Sequence, residues 1–176
     1  MSINLKSSGK LTFLKKISIF KGLTDDQLKI FSEICKEKSI KQDEIIMREG
    51  EPGSTMYLFV EGEVEFSNSA TLKIPKKGFE KSESIGGKLN AKFVPFFGDM
   101  ALFEDAPRSA TIKAITDVNL YEVKKDDFER VCGEDCTMGY IIMKNIIPVI
   151  ANRLRNTNEN IKKLTTILTI VLSKKK

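Results

Sequence analysis

The sequence predicts a mainly β protein with flanking helices: an antiparallel jelly-roll β-barrel with N-terminal helices, a short internal helix and a long C-terminal helix. Short runs rich in β-branched and aromatic residues fill the middle of the 176-residue chain, separated by Gly, Pro, Asn and Asp. No long helix lies between these runs, which favours an antiparallel barrel. Apolar residues recur at helical spacing before and after them, which predicts the helices.

The N-terminal part is predicted to contain two helices. Residues 1–9 are polar and are predicted to form a flexible N-terminus. From Leu11 to Cys35 the apolar residues follow helical spacing, with an interruption at 21–23. Thr24 is the predicted N-cap of the second helix, and Gln27, three residues later, completes a capping box.

Six runs in the middle of the chain are predicted to be β-strands. They are Ser39–Glu49, Met56–Phe66, Ser69–Ile74, Ala91–Val94, Ser109–Ala114 and Asn119–Val123. The connection 67–95 is rich in Lys, Ser, Glu and Gly, and its composition favours a mobile surface loop. The alternative for this connection is a lid or an element that docks a partner.

The stretch 97–111, FGDMALFEDAPRSAT, has the chemistry of a phosphate site, and we call it the cassette. A one-turn helix that starts near Asp99 would point unpaired N–H groups, such as that of Ala101, at an anion. Arg108 supplies a planar, permanently charged group that suits a phosphate better than Lys does. Asp99 can accept a hydrogen bond from a sugar hydroxyl, and Gly98 leaves room for the sugar.

The cassette closely resembles the phosphate-binding cassette of cyclic nucleotide-binding domains, which usually reads F-G-E-x-A-L followed a few residues later by P-R-x-A-T. Residues 48–64, REGEPGSTMYLFVEGEV, resemble the family's strand and glycine turns upstream of that cassette. The resemblance extends over approximately residues 11–160. It implies a set of ligand-binding residues in the cassette, which are Gly98, Asp99, Met100, Ala101, Arg108, Ser109 and Ala110.

One residue of the cassette departs from the family pattern. Asp99 stands where the family almost always has Glu, so its carboxylate is one methylene shorter. The contact with the ribose 2′-hydroxyl is therefore expected to be strained, mediated by water or lost. Ser109 lies where a hydroxyl could contact the phosphate or the amino group of a guanine turned over the ribose, which leaves the choice between cyclic AMP and cyclic GMP open.

The C-terminal part is predicted to be a short helix, 125–132, followed by one long helix. Pro148 is expected to kink the long helix or to mark where a shorter helix ends and the long one begins. Its apolar residues alternate spacings of three and four, as in a coiled-coil seam. The seam residues are Met143, Ile147, Ile150, Leu154, Thr157, Ile161, Leu164, Leu168 and Val171. We expect a parallel homodimer through this helix, with packing on the chain's own barrel as the alternative.

Residues 151–158, ANRLRNTN, are similar to the segment of catabolite activator proteins in which the dimer helix meets the adenine. The similarity implies that Thr157 and Asn158 face the purine, each from a different subunit. It also favours cyclic AMP over cyclic GMP. A polar residue in an apolar seam can instead serve to fix the register of the two helices.

The resemblance implies a sensor in which a cyclic nucleotide moves the C-terminal helix and so acts on an unknown protein effector. The implied domains are a flexible terminus at 1–9, the binding domain at 10–136 and the lid and dimerisation helix at 137–176. The alternative is a degenerate fold that binds no ligand and serves protein contacts. An enzyme is not expected, because the chain has no His and no base–nucleophile pair is evident.

Composition narrows the remaining possibilities. The net charge of +5 comes from basic residues spread along the chain, which favours a solvated surface over a DNA or membrane partner. No helix-turn-helix segment is evident, and no apolar stretch is long enough to cross a membrane or to serve as a signal peptide. Three Cys without His do not form a metal-binding pattern, so no metal or cofactor is expected. We expect a cytoplasmic protein.

Overall fold

The structure is a computed structural model that describes residues 5–74, 78–90 and 94–173. Helix α1 covers Leu5–Leu14 and helix α2 covers Asp25–Ile34, with a single 3-10 turn at Ser18–Phe20 between them. The predicted capping box is confirmed. The Thr24 hydroxyl accepts from the Gln27 backbone N–H at 3.2 Å, and the Gln27 side chain accepts from the Thr24 N–H at 3.0 Å.

The described strands form two four-stranded antiparallel sheets. The strands are β1 Lys36–Ile40, β2 Ile45–Met47, β3 Thr55–Glu61, β4 Glu63–Ile74, β5 Gly78–Asn90, β6 Phe96–Phe97, β7 Thr111–Ala114 and β8 Val118–Lys124. One sheet has the order β1-β8-β3-β6 and the other β2-β7-β4-β5. The predicted antiparallel jelly roll with flanking helices is confirmed, but the two sheets are not closed into a barrel.

The strand predicted at Ser69–Ile74 is confirmed as part of β4, but the rest of the described connection differs from the surface loop that its composition predicts. Strands β4 and β5 pair from Glu63 with Asn90 to Ile74 with Gly78, so the described part of this connection is an extended antiparallel hairpin. Its run of Ser, Glu and Lys gives no alternating apolar pattern, and the pairing is set by the partner strand instead. The strand predicted at 91–94 lies mostly outside the described residues, and Val94 itself is not in a strand.

The described apolar side chains form two cores that hold the fold together. The first lies between the sheets and consists of Tyr57, Phe59, Val64, Phe97, Ile112, Ala114, Val118 and Leu120. The second joins the helices to the sheet formed by β1, β8, β3 and β6, and it includes Phe31, Met56, Leu58, Phe128 and Ile142. Because alternate residues of a strand point to opposite faces, β3 contributes Tyr57 and Phe59 to the first core and Met56 and Leu58 to the second.

Two helices complete the chain: α3 at Lys125–Glu134 and α4 at Cys136–Ser173, the latter 38 residues long. Helix α4 continues through Pro148, so the chain does not change from one helix to another there. The Asn145 side chain donates to the carbonyls of Ile19 and Lys21 at 3.0 and 2.8 Å, which attaches α4 to the N-terminal helices. Among the described residues, no helix combines the length and apolarity needed to span a bilayer.

Candidate functional site

The cassette starts with a turn in which glycine is required. Gly98 has φ of 72°, a left-handed conformation that favours glycine. A Cβ at this position would also lie 2.9 Å from Arg108 Nη1 and 3.0 Å from the carbonyl oxygen of Thr55. The following residues, Asp99–Leu102, form a single 3-10 turn, as the sequence predicts. The turn therefore brings Arg108 and Asp99 close to one point of the backbone.

The cassette forms one wall of a cavity of about 780 Å³, which is within the usual range for small-molecule sites. The predicted site residues that line this cavity are Gly98, Asp99, Met100, Ala101, Arg108, Ser109, Ala110 and Thr157. Strands β4 and β5 form a second wall and α4 a third. Asn158 is not among the lining residues of this single chain, so its contact with a ligand stays a prediction.

Arg108 is a buried cation without a carboxylate partner among the described side chains. The residue is 7% exposed. Its Nη1 donates to the carbonyls of Thr55 and Gly98 at 2.8 and 3.3 Å, and its Nη2 donates to the Thr55 hydroxyl at 2.7 Å. Among the side chains that the structure describes, no carboxylate forms an ion pair with it. Burial lowers the pKa of the Arg108 guanidinium below its ordinary value, which reflects the cost of removing the charge from water.

Asp99 is paired with an arginine of α4. Arg153 Nη1 donates to both carboxylate oxygens of Asp99 at 2.8 and 3.0 Å, and the Asp99 side chain is only 4% exposed. Arg153 Nη2 donates to the carbonyl of Phe96 at 3.1 Å, and the guanidinium carbon lies 5.0 Å from the centre of the Phe96 ring. The predicted sugar ligand is therefore the residue that fastens α4 to the cassette.

Sequence reasoning missed several residues of the cavity. Arg153 is one of them, although it lies four residues before Thr157 and therefore on the same face of α4. That spacing, with Asp99 as an obvious acidic partner, was the available signal. The others include Phe66 and Asn68 of β4 and Leu89 of β5. Asn68 and Leu89 fall in the connection 67–95, which the composition predicts to be a loop, and Phe66 falls at the end of a predicted strand whose cavity-facing side the sequence does not indicate.

The charged residues of the cavity wall suit a singly charged anion. The described lining residues include two arginines, Arg108 and Arg153, and one carboxylate, Asp99. Because Arg153 is neutralised by Asp99, the net charge of +1 is concentrated at Arg108. The rest of the wall is mostly apolar or small, as in sites that bind an organic ligand and orient it with a few polar groups.

The described part of the chain contains no set of side chains that could bind a metal ion. No group of three or more His, Cys, Asp or Glu side chains lies close enough to hold an ion there. Cys35, Cys132 and Cys136 are free thiols. Burial raises the pKa of Cys35 to about 12 and that of Cys132 to about 11, so both stay protonated near neutral pH.

A two-sheet jelly roll that presents a buried arginine to a cavity, with a long helix as one wall, defines a ligand-binding domain. Comparison with known proteins identifies which one. The profile of the cyclic nucleotide-binding domain matches residues 37–135, and the chain belongs to this family. The matched range contains the whole cassette and the wall formed by β4 and β5.

Similar proteins include two regulatory subunits of cAMP-dependent protein kinase. The subunit of Dictyostelium discoideum is 28% identical over 121 residues, covering 69% of this chain and 35% of its own length. That of Neurospora crassa is 32% identical over 126 residues, covering 69% and 28%. The chain thus matches about a third or less of the length of these relatives. A solved cyclic nucleotide-binding domain from Methylobacillus flagellatus has the same fold, with a TM-score of 0.68 at 19% identity, covering 88% of this chain and 82% of its own.

Proposed function

We propose that this chain binds a cyclic nucleotide, specifically cyclic AMP, in the cavity between the cassette, β4–β5 and α4. The observation that carries the proposal is Arg108, a buried guanidinium in the cavity wall with no described carboxylate partner. A cyclic phosphate carries one negative charge and would offset the cost of burying that cation. The names of the two kinase regulatory subunits, which are cAMP-dependent, support cyclic AMP as the ligand.

The other cassette residues would position the sugar. Gly98 has no side chain and leaves space beside the Arg108 guanidinium. The Asp99 carboxylate has two oxygens with several acceptor sites, so it could accept a ribose hydroxyl while it remains paired with Arg153. A ligand that competes for Asp99 would weaken the attachment of α4, and one that bridges both groups would strengthen it. Binding shifts α4 only by the difference in affinity between its two positions.

Replacement of Arg108 tests the phosphate assignment. We expect Arg108→Ala to weaken cyclic AMP binding about tenfold to hundredfold, because hydrogen bonds to charged groups contribute about 1.5–3 kcal/mol. Isothermal titration calorimetry measures the affinity, and circular dichroism monitors the fold. Arg108→Lys, which keeps the charge but loses the planar fork, should fall between Ala and wild type.

Arg48→Ala is the matched control for Arg108→Ala, because Arg48 is exposed and lies outside the cavity lining. Its affinity for cyclic AMP should equal that of the wild type. Unchanged affinity in folded Arg108→Ala would overturn the phosphate assignment. Absence of heat with both cyclic AMP and cyclic GMP in the wild type would favour a domain that binds no ligand and serves protein contacts.

We also propose that the distal part of α4 pairs with a second copy of the chain. Every apolar seam residue from Leu154 onward is exposed, with Leu164 at 66%. An exposed heptad seam on a helix of this length is typical of a coiled-coil helix without its partner helix. In a parallel pair, the seam would place Thr157 of each helix close to the other, beside the two cavities.

A further inference from the structure

The wall of the cavity formed by β4 and β5 has a side-chain arrangement suited to a nucleobase. Phe66 and Asn68 are two residues apart on β4 and therefore on the same face, and both line the cavity. Leu89 of the paired strand β5 lines it as well. An aromatic ring, an aliphatic side chain and an amide thus lie together on one surface opposite α4.

The position of the Phe66 ring is fixed by two glycines of β5. The register of β4 with β5 shifts between Phe66 and Ser67, so Gly86 is an extra residue opposite the ring. A Cβ at Gly86 would overlap the Phe66 ring, and one at Gly87 would lie 3.3 Å from it. The two glycines therefore let the Phe66 ring pack directly on the β5 backbone within the cavity wall.

Asn68 is fixed by a hydrogen bond to the cassette. Its Nδ2 donates to the carbonyl oxygen of Ser109 at 2.7 Å, which sets the orientation of the amide. With Nδ2 on a backbone carbonyl, the atom that Asn68 offers to a ligand is chiefly the acceptor Oδ1. Ser109 follows Arg108 directly in the chain, so this hydrogen bond holds the Asn68 amide near Arg108, the residue proposed to bind the phosphate.

The wall formed by α4 is less well suited to define a base. The Thr157 hydroxyl donates to the carbonyl of Arg153 at 3.0 Å, so its proton is used within the helix. Thr157 and the residues after it are exposed on a helix that has no further support from the described chain. In the single chain a purine placed there would have exposed neighbours, whereas Phe66 and Leu89 of the β4–β5 wall are half-buried, with the exposed Asn68 beside them.

We propose that the nucleobase lies on the β4–β5 wall, against Phe66, and that Asn68 Oδ1 accepts a hydrogen bond from the 6-amino group of adenine. This inference rests on the proposed function and names the residue that selects the base. Guanine has a carbonyl at position 6, an acceptor that would face the acceptor of Asn68. The arrangement therefore favours cyclic AMP over cyclic GMP.

The test removes the proposed hydrogen bond first by changing the ligand, through loss of the 6-amino group, and then by changing the protein, through replacement of Asn68. Wild type, Asn68→Ala and Thr157→Ala are titrated calorimetrically with cyclic AMP and with purine riboside 3′,5′-cyclic monophosphate, which lacks the 6-amino group. In the wild type, loss of the amino group should weaken binding about threefold to tenfold. In Asn68→Ala the two nucleotides should bind equally, and in Thr157→Ala the wild-type difference should persist.

Ser67→Ala is the matched control, because Ser67 is the neighbour of Asn68 on β4 and is not among the residues lining the cavity. It should retain the wild-type difference between the two nucleotides. Phe66→Leu keeps an apolar side chain and should weaken both nucleotides about tenfold, since base–aromatic stacking is lost.

Two results would overturn the base assignment while leaving the proposed function intact. One is a difference in affinity between cyclic AMP and the nucleotide without the 6-amino group that is the same in wild type and in Asn68→Ala. The other is an effect that disappears in Thr157→Ala instead, which would place the base on α4. If the wild type binds neither nucleotide, the proposed function itself is wrong and the base assignment fails with it.

Discussion

The two halves of α4 are both rich in apolar residues, but only the proximal half has a stripe that the rest of the described chain buries. In the proximal half, one stripe of residues, Met138, Gly139, Ile142 and Ile146, is buried against the other helices, while the seam residues Met143, Ile147 and Ile150 are exposed. In the distal half, after Arg153, the apolar residues are exposed. Arg153 lies at the boundary and is held to the cassette by Asp99 and the Phe96 carbonyl. The comparison shows that an apolar stripe on a helix marks a surface that needs a contact. Whether that contact comes from the same chain depends on which other elements the fold places beside the helix.

The largest expected effect is a loss of stability in the proximal half. Ile142 is fully buried, so Ile142→Ala should lower the free energy of unfolding by about 2–5 kcal/mol. Ile170→Ala makes the same chemical change at an exposed position away from the seam and should stay within about 0.5 kcal/mol of wild type. Urea denaturation measures both. Equal losses would contradict the division of α4 into a packed and an unpacked half.

The next effect concerns association through the distal half. Leu164→Asp places a charge in the seam and should convert dimers to monomers in sedimentation velocity. Each copy loses the burial of one Leu side chain, about 1.5–3 kcal/mol. Thr166→Asp introduces the same charge on the opposite face of the helix and should leave the dimer intact. A wild-type protein that already sediments as a monomer would refute the proposed pairing.

The elements that sequence predicts well here are those specified by neighbouring residues. The capping box at Thr24 needs only Gln27 three residues later, and the turn at Gly98 needs only a residue that tolerates positive φ. The cassette is also a continuous stretch, so its residues were found together. Eight of the nine predicted site residues line the same cavity, and Asn158 is the exception.

The features that sequence reasoning missed depend on pairing between distant segments. Strand β5 has polar residues without alternation, so its pairing with β4, which builds the wall that carries Phe66 and Asn68, is not evident from the sequence. The bulge at Gly86 has the same origin. The contact of Arg153 with Asp99 joins residues 54 positions apart, and the interpretation of Asp99 as a free sugar ligand could not anticipate it.

The smallest expected effect lies at the boundary between the two halves. Arg153 is partly exposed, so its pair with Asp99 is worth only about 0.5–1.5 kcal/mol after screening by solvent. Arg153→Gln should therefore reduce hydrogen-exchange protection of the amides around residue 153 by about threefold to tenfold, while those near Ile142 keep theirs. Arg155→Gln removes a charge from an exposed position two residues later and should change neither. If Arg153→Gln leaves protection unchanged, packing at Ile146 alone holds the proximal half, and ligand contacts at Asp99 have no route to α4 through Arg153. If protection falls as expected, the ion pair contributes to holding this part of α4 against the cassette.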